Sequence, residues 1–340
     1  MQHNKKIKEI QSEDISRLLV SNFSSLMGEF FEMQSSFLSG IYKRYGNIET
    51  ANIILCLTKI THLQILRLRE RKMYHDVSLE NFWNNYNNLS KPTQKIISIV
   101  KSTAIPKETV RRKIKELMLQ GLVSTNQNSK EYYLNLLPKY EQIYLKIHKE
   151  ETEVLSKFIY SCAECLKLPL NKAMITNEIR FQFSFYWFHF LSCQLNWLNM
   201  WQNKIKDIDL ILITLQAVIP TLKYLDHNEN IKNLSLNNLY LLIGHTVGDY
   251  KFSKASVSAA SISDVTGIPR ATCVRKLEIL RKLGLLERDS SSKRFFITQS
   301  TKNRTKSIFT KENINTTVEI FSNFLAIILN TLRMNENKIA

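Results

Sequence analysis

The chain has 340 residues, of which 44% are hydrophobic and only 8 are glycine and 6 proline. This composition excludes a disordered chain and allows two domains of ordinary size. The formal net charge of +17 points away from an acidic surface and towards a polyanionic partner. Apolar residues recur at spacings of three and four, which predicts a mainly α fold with few, short strands.

The N-terminal segment MQHNKKIKEIQSED is basic but precedes no long apolar run, so we expect no signal peptide and a cytoplasmic protein. The most apolar stretch, Phe181 to Trp201, is interrupted by polar residues such as Gln194, which predicts a buried helix rather than a membrane span. Five cysteines form no paired framework, and Cys162 and Cys165 lie in a helical pattern without a second pair. We therefore expect reduced, buried thiols, no metal site and no cofactor.

The stretch IPKETVRRKIKELMLQGLV, residues 105–123, recurs as IPRATCVRKLEILRKLGLL, residues 268–286, with 8 of 19 positions identical. The offset is 163 residues, whereas upstream segments align best at 157, with Phe30 opposite Trp187 and Leu38 opposite Leu195. The difference predicts a six-residue insertion between Leu225 and Tyr250. The chain therefore divides into two repeats, 1–168 and 169–340, each with helical flanks and a long C-terminal helix.

Within each repeat the repeated stretch predicts a helix that begins at Pro106 or Pro269 and ends before Gly121 or Gly284. Its apolar face carries Val110, Ile114 and Leu117 in one copy and Cys273, Leu277 and Leu280 in the other. A short amphipathic segment precedes each helix, and two β-prone runs around a polar tip follow it. The pattern predicts a helix-turn-helix with a β-hairpin, over about 91–137 and about 254–299.

Most of the net charge lies in these two segments. Lys91 to Asn135 holds nine basic residues against three acidic, and Lys254 to Lys306 holds twelve against four. The cations crowd the N-terminal half of each predicted helix, where the helix dipole disfavours them, which suggests an external anion. Long basic side chains beside a threonine hydroxyl suit phosphates and base edges in a major groove. Double-stranded DNA is therefore the predicted partner.

The pattern ISDVTGIPRATCVRKLEILRKLGLLER resembles the winged helix-turn-helix of bacterial transcription regulators and is similar to the MarR and IclR types, over roughly 50 residues in each half. The resemblance implies that the second helix enters the major groove and that the hairpin, or wing, touches the backbone or minor groove. Carried over by position, Lys107, Thr109, Arg111 and Arg112, and then Arg270, Thr272 and Arg275, become groove contacts. The charge of Lys113 and Lys276 on the same helices, and of Lys130, Arg288, Lys293 and Arg294 near the hairpin tips, adds these residues to the predicted DNA contacts.

The flanking helices of such regulators form a dimer interface, which predicts two halves packed as a pseudo-dimer within a monomeric chain. The second flank holds nine aromatics between Phe181 and Trp201. One interpretation is a pocket for a small apolar effector near Trp187, His189 and Trp197. The other, which the composition favours, is buried core between the halves.

No catalytic or nucleotide-binding motif is present, so we expect a DNA-binding protein rather than an enzyme. The predicted function is a sequence-specific transcription regulator. The alternatives are a replication initiator or architectural DNA-binding protein with tandem winged helices, or a winged-helix scaffold that binds other proteins.

Overall fold

The computed structural model describes residues 9–71, 75–126, 128–205, 207–227, 233–245, 252–297 and 310–339. Over these ranges the predicted mainly α class is confirmed, with two small antiparallel strand pairs. The elements of the first half are α1 (Ser12–Ser21), α2 (Phe23–Tyr45), α3 (Ile48–Arg71), α4 (Phe82–Asn88), α5 (Ile96–Thr103), α6 (Lys107–Leu119), β1 (Val123–Asn126), β2 (Glu131–Leu134) and α7 (Glu141–Cys165).

The second half follows the same order. Its elements are α8 (Lys172–Phe181), α9 (Phe183–Lys204), α10 (Asp209–Asp226), α11 (Leu236–His245), α12 (Ala259–Thr266), α13 (Arg270–Lys282), β3 (Leu286–Arg288), β4 (Phe295–Ile297) and α14 (Lys311–Ile339). Short 3₁₀ turns lie at Pro138–Tyr140 and Phe252–Ala255.

The register between the two flanks differs from the sequence alignment. The burial patterns of α2 and α9, and those of α3 and α10, coincide at an offset of 160 residues, so Phe30 corresponds to Phe190 rather than to Trp187. The alignment at 157 was therefore wrong by about one helical turn. Apolar residues recur every three or four positions along a buried helix, so a slip of one turn still places apolar residues opposite each other.

Further along the chain, equivalent residues of the two halves are 157 residues apart. The carbonyl of Val77 accepts the Ser184 N–H, and the carbonyl of Leu234 accepts the Ser24 N–H, so these two loops correspond. Beyond them the offset becomes 163, which places six additional residues of the second half after Leu234. Part of the predicted interval, 228–232 and 246–250, lies outside the described residues.

The two halves interleave rather than sit side by side. Helix α3 of the first half packs on α9 of the second, and α10 packs on α2. Helix α5 likewise rests on α9, and α12 rests on α2. The buried residues form one continuous cluster that includes both halves. The boundary at 168/169 therefore separates two sequence repeats but not two hydrophobic cores.

The long helices α2 and α9 meet through a buried pair of amides. Gln34 donates to the Gln194 carbonyl oxygen at 3.1 Å and Gln194 donates back to Gln34 at 2.6 Å. Both side chains are fully buried, and they are 160 residues apart, so each residue meets its own counterpart. A buried amide needs such partners, because an unpaired one costs about 1–3 kcal/mol.

Helix α9 contains the stretch considered as a membrane span, and most of its aromatic residues are buried in the core, as predicted. No single helix of the described residues has the length and apolar composition needed to cross a membrane. Helices α9 and α10 meet those criteria only together, with a bend of 104° between them.

The turn between the two helices of each helix-turn-helix has a left-handed residue at the same position. It is Gly267 in the second half, with φ of 76°, and Ala104 in the first half, with φ of 55°. A β-carbon in this conformation crowds the following carbonyl, which costs about 1–2 kcal/mol. At Gly267 an added β-carbon would also lie 2.7 Å from Cγ of Lys43. The two positions therefore differ in what they tolerate.

We predict opposite effects from exchanging these residues. Ala104→Gly should raise the free energy of unfolding by about 0.5 to 1 kcal/mol, because relief of strain exceeds the added chain entropy of glycine. Gly267→Ala should lower it by more than about 1 kcal/mol, because strain and the Lys43 contact add. Urea unfolding followed by circular dichroism measures both. Equal effects of the two exchanges would contradict this account of the turn.

His62, in α3, is buried in the protein core. Neither of its ring nitrogens has a hydrogen-bond partner among the described residues. Its ring packs against Phe82 and Phe183, at centroid distances of 4.9 and 5.3 Å. Burial, and then the neighbouring His148, lower its pKa well below the usual 6.5. The equivalent residue in α10 is Leu222, which is also buried and has no polar side-chain atoms.

We predict that His62→Leu stabilises the protein, and more so in acid. The folded state holds His62 neutral, whereas the unfolded chain takes up a proton below pH 6.5. Wild-type stability therefore falls as the pH drops through that value, by up to about 1.4 kcal/mol per pH unit from this residue. Unfolding free energies of both proteins at pH 8 and pH 5 test this. A difference that does not grow towards pH 5 would exclude neutral burial of His62.

Candidate nucleic-acid interface

Helices α6 and α13, which we call the recognition helices, have the predicted boundaries to within one residue. Pro106 and Pro269 are extended N-cap residues, with ψ of 140° and 135°, so each helix begins one position later than predicted. Gly121 and Gly284 both follow the helix ends with φ of 74°. Because glycine adopts this left-handed conformation without strain, both helices end at the positions that the sequence indicated.

The predicted apolar faces are confirmed. Val110, Ile114 and Leu117 are buried in α6, and Cys273, Leu277 and Leu280 are buried in α13. The predicted contact residues that lie on the opposite, exposed faces are Lys107, Arg111 and Arg112 in α6 and Arg270 and Arg275 in α13. The hydroxyl-bearing residues Thr109 and Thr272 are half-buried near the helix starts. Each recognition helix thus keeps a cationic outer surface at its N-terminal half.

Two of the predicted contact residues do not lie on the exposed faces of the recognition helices. Lys113 and Lys276 are 5% and 3% exposed and lie on the inner side of the recognition helices. Their ammonium groups are occupied by partners in the protein, so neither can contact an external anion. The prediction that they bind DNA is wrong, because a lysine next to Ile114 or Leu277 faces the core and must be paired there.

The partners of the buried lysines lie at the start of the long helices. Lys113 donates to Asn47 Oδ1 at 2.8 Å and to Thr50 Oγ1 at 3.0 Å, and Glu49 lies 3.5 Å away. These anchors were not predicted from the sequence. They attach α6 to the first turn of α3.

Lys276 is anchored in the same way in the second half. It donates to Asp207 Oδ2 at 2.6 Å and to Asp209 Oδ2 at 3.5 Å. Burial raises the pKa of the Asp209 carboxyl, while Lys276 and the backbone N–H of Ile48 favour its charged form. A carboxylate that is both paired and hydrogen-bonded meets the requirement for a buried charge.

Acidic residues partly neutralise the outer surface of the recognition helices. Glu108 pairs with Arg111 at 2.6 Å, and Glu116 lies 3.9 Å from Arg112. In α13, Glu278 pairs with Arg281 at 2.7 Å and lies 4.0 Å from Arg288, so Arg288 turns towards the helix. Such exposed pairs contribute at most about 1 kcal/mol, so a phosphate group can displace them.

The predicted hairpins are present after both recognition helices. Val123 pairs with Leu134 in the first, and Leu286 pairs with Ile297 in the second. A further bridge joins Gln94 to Tyr132 and Val257 to Phe295, at matching positions. The last part of the predicted second segment, 298–299, lies outside the described residues.

Each hairpin places a lysine at its tip in an unusual conformation. Lys130 and Lys293 have φ of 52° and 58°, and their backbone N–H groups donate to Asn126 and Asp289, both at 3.0 Å. Glycine or asparagine would adopt this conformation at lower cost. The side chains of both lysines are exposed, as is that of Arg294. The same strained cation at the same place in both hairpins suggests a functional requirement.

Serine residues stabilise a negative charge within the second tip. The Ser291 hydroxyl, and then Ser292, lower the pKa of the Asp289 carboxyl to about 2. Asp289 also accepts the Ser291 N–H at 2.9 Å and the Ser292 N–H at 2.6 Å. These bonds fix the turn that carries Lys293.

An open groove of about 530 Å³ lies beside the first recognition helix. The residues around it come from α5, α6 and β2, namely Ile96, Glu108, Arg111, Arg112, Ile114, Lys115, Met118 and Tyr132. The groove is therefore bordered both by the cationic face of α6 and by β2 of the first hairpin.

The three residues suggested for an effector pocket do not share one site. Trp187 and Trp197 are 1% and 2% exposed in the core, and Trp197 Nε1 donates to Thr317 at 3.3 Å. His189 is half-buried beside Phe185, with ring centroids 4.7 Å apart. Trp187 borders a cavity of about 60 Å³ that neither His189 nor Trp197 lines. The tryptophans therefore serve as core residues, the interpretation that the composition favoured.

The described residues contain no cluster of three or more His, Cys, Asp or Glu side chains placed to bind a metal ion. Cys162 is buried as predicted, whereas Cys165 is exposed, so the prediction of buried thiols is wrong for Cys165. The chain matches no known protein family, no curated protein and no solved structure.

We predict that Lys130→Gly and Lys293→Gly each raise the free energy of unfolding by about 0.5 to 1 kcal/mol, because glycine removes the left-handed strain. Both should weaken binding to a random duplex and lower its salt slope by about 1 each. Lys167 is an exposed lysine with φ of 54° outside the hairpins, so Lys167→Gly is the matched control. It should stabilise similarly and leave binding unchanged. Unaltered binding by both tip variants would exclude a role for the tips in holding DNA.

Proposed function

We propose that the protein is a sequence-specific regulator of transcription that binds double-stranded DNA through two winged helix-turn-helix modules in one chain. The observation that carries the proposal is the matching pair of cationic surfaces. In each half an exposed arginine-rich face at the start of a recognition helix accompanies a strained lysine at the wing tip. Lys167, outside the hairpins, has the same left-handed conformation, so the support for the proposal is the equivalent placement of Lys130 and Lys293 beside the arginine-rich faces and not the strain alone.

The chain would act as a single-chain pseudo-dimer. The reciprocal Gln34–Gln194 pair, and the repeated order of elements, support a pseudo-twofold relation between the halves. Such a relation would place two recognition helices on successive turns of one face of DNA, about 10 base pairs apart. One monomeric chain would then occupy one site in the cytoplasm, without a partner subunit, a cofactor or a catalytic step.

The two half-sites should differ in sequence. Arg111 of α6 corresponds to Val274 of α13, which is 45% exposed, and Glu108 corresponds to Ala271. Arginine favours guanine edges, whereas valine offers only apolar contact, for instance to a thymine methyl group. The preferred site is therefore two unlike half-sites rather than a palindrome.

An exposed valine on a recognition helix also suits the protein-binding scaffold considered above. A scaffold would not bind duplex DNA, so direct binding separates these two functions. A replication initiator or architectural protein would bind DNA through the same surface, and the genomic positions of the bound sites separate it from a regulator.

We predict that Arg112→Ala and Arg275→Ala each weaken duplex binding about tenfold, because each removes a contact worth about 1–3 kcal/mol. Their stability should change by less than about 0.5 kcal/mol, since both side chains are exposed. Arg17 is an exposed arginine in α1 that pairs with Asp14 and donates to the Glu13 carbonyl, so Arg17→Ala is the matched control and should bind as wild type. Fluorescence anisotropy with a labelled random duplex provides the measurement.

Wild-type affinity should also fall by about 10³ to 10⁵ between 50 and 200 mM salt if 6–10 phosphates are contacted. The absence of binding to random duplex at low salt would falsify the proposed function. Binding that does not respond to salt would exclude phosphate contacts as its basis.

A further inference from the structure

The turn between α2 and α3, residues 43–50, contacts both helix-turn-helix units. Its Asn47 and Thr50 hold Lys113 of the first recognition helix. Its Lys43 side chain lies against Gly267, at the turn of the second helix-turn-helix. Its Ile48 N–H donates to Asp209 Oδ1 at 3.2 Å. This segment is therefore in contact with both units.

Asp209 completes a continuous path between the recognition helices. One of its oxygens accepts from Ile48 in the first half, and the other lies 3.5 Å from Nζ of Lys276 in the second. From α6 the path is Lys113, the first turn of α3, the Ile48 N–H, Asp209, Lys276 and then α13. Every step is a direct contact between buried or half-buried groups.

We infer that Asp209 is a positioning residue that couples the two recognition helices and so fixes the spacing of the two half-sites that the protein accepts. The inference rests on the proposed function and adds a determinant of its specificity. Asp209 touches no outer surface of either recognition helix, so it acts only through Lys276 and Ile48.

The partners of Asp209 explain why its loss would affect the coupling more than the anchoring of Lys276. Without its carboxylate, Lys276 keeps Asp207 at 2.6 Å, so the ammonium group stays paired. The Ile48 N–H, at the first position of α3, loses its acceptor from the other half. The counterpart carboxylate Glu49 lies 3.5 Å from Lys113 of its own half, which makes Glu49 the matched control.

Spacing is the property that such coupling controls. One additional base pair moves a half-site by about 3.4 Å and rotates it by about one tenth of a turn. A rigid pair of helices cannot follow both changes, whereas a loosened pair can. Coupling therefore determines how sharply affinity falls when the spacing changes.

Pulsed electron paramagnetic resonance tests the coupling without DNA. Leu119 and Lys282 are exposed, equivalent residues at the ends of the recognition helices, so spin labels on Leu119→Cys and Lys282→Cys report their separation. Cys165→Ser removes the one exposed native thiol of the five cysteines. We expect one narrow distance distribution in the labelled parent, a broader one with Asp209→Ala, and a narrow one with Asp209→Asn, which keeps an acceptor for Ile48. Glu49→Ala should leave the distribution narrow.

DNA binding tests the consequence. The two half-sites that wild type selects from random duplexes are synthesised at their original spacing and with one or two base pairs inserted between them. The affinities of wild type and of Asp209→Ala for these duplexes are then compared. Linked modules gain about 10² or more in affinity when both engage, so Asp209→Ala should recover about tenfold on the altered spacings. Binding to a single half-site should remain within about twofold of wild type, because the outer surfaces of the recognition helices are unchanged.

The possible failures are distinguishable. If wild type selects no sequence from the random duplexes, the proposed function is overturned, and the inference with it. If wild type selects two half-sites but Asp209→Ala keeps both the narrow distribution and the sharp spacing preference, the inference alone is overturned. If Asp209→Ala does not fold, Ile48→Pro removes the same bond from the donor side, since proline lacks the N–H and is favoured at the first helical position. A narrow distribution in a folded Ile48→Pro would equally overturn the inference.

Discussion

Two buried ammonium groups determine where the candidate DNA-binding surfaces lie. Lys113 and Lys276 stand at the same position of the two recognition helices, and each is held by polar side chains in or next to the first turn of a long helix. A charge withdrawn from water must be paired, so each helix can dock in only the orientation that keeps its lysine satisfied. In that orientation the residue before each lysine, Arg112 or Arg275, faces solvent.

Local patterns in the sequence were sufficient to locate these modules. The recurrent proline, the apolar spacing from Val110 to Leu117 and the glycine that follows predicted both recognition helices, because each signal acts within a few residues. The hairpins followed from β-prone runs around a polar tip. The conformation of the tip lysines, in contrast, depends on turn geometry that residue preferences do not favour, so it could be found only in the structure.

The errors concern contacts between segments distant in the chain. The flanks were aligned one turn out of register because buried helices repeat every three to four residues. The burial patterns and the meeting of Gln34 with Gln194 identify the true offset. Lys113 was assigned to the surface from its charge, although its neighbour Ile114 indicated the inner face. Its partners lie in a different helix, and no local pattern identifies them. The path through Asp209 was missed for the same reason.

The interleaving of the halves has a consequence for how the protein is made. When the ribosome has completed residue 168, every residue of the first helix-turn-helix exists, but the helix that supports it, α9, has not yet been synthesised. Helix α10, which packs on α2, is also not yet synthesised, so the apolar side chains of α2 that contact α10 remain uncovered at that stage. Folding of the first module is therefore tied to translation of the second. A prematurely terminated chain would carry the basic segment 91–135 without the helix that supports it.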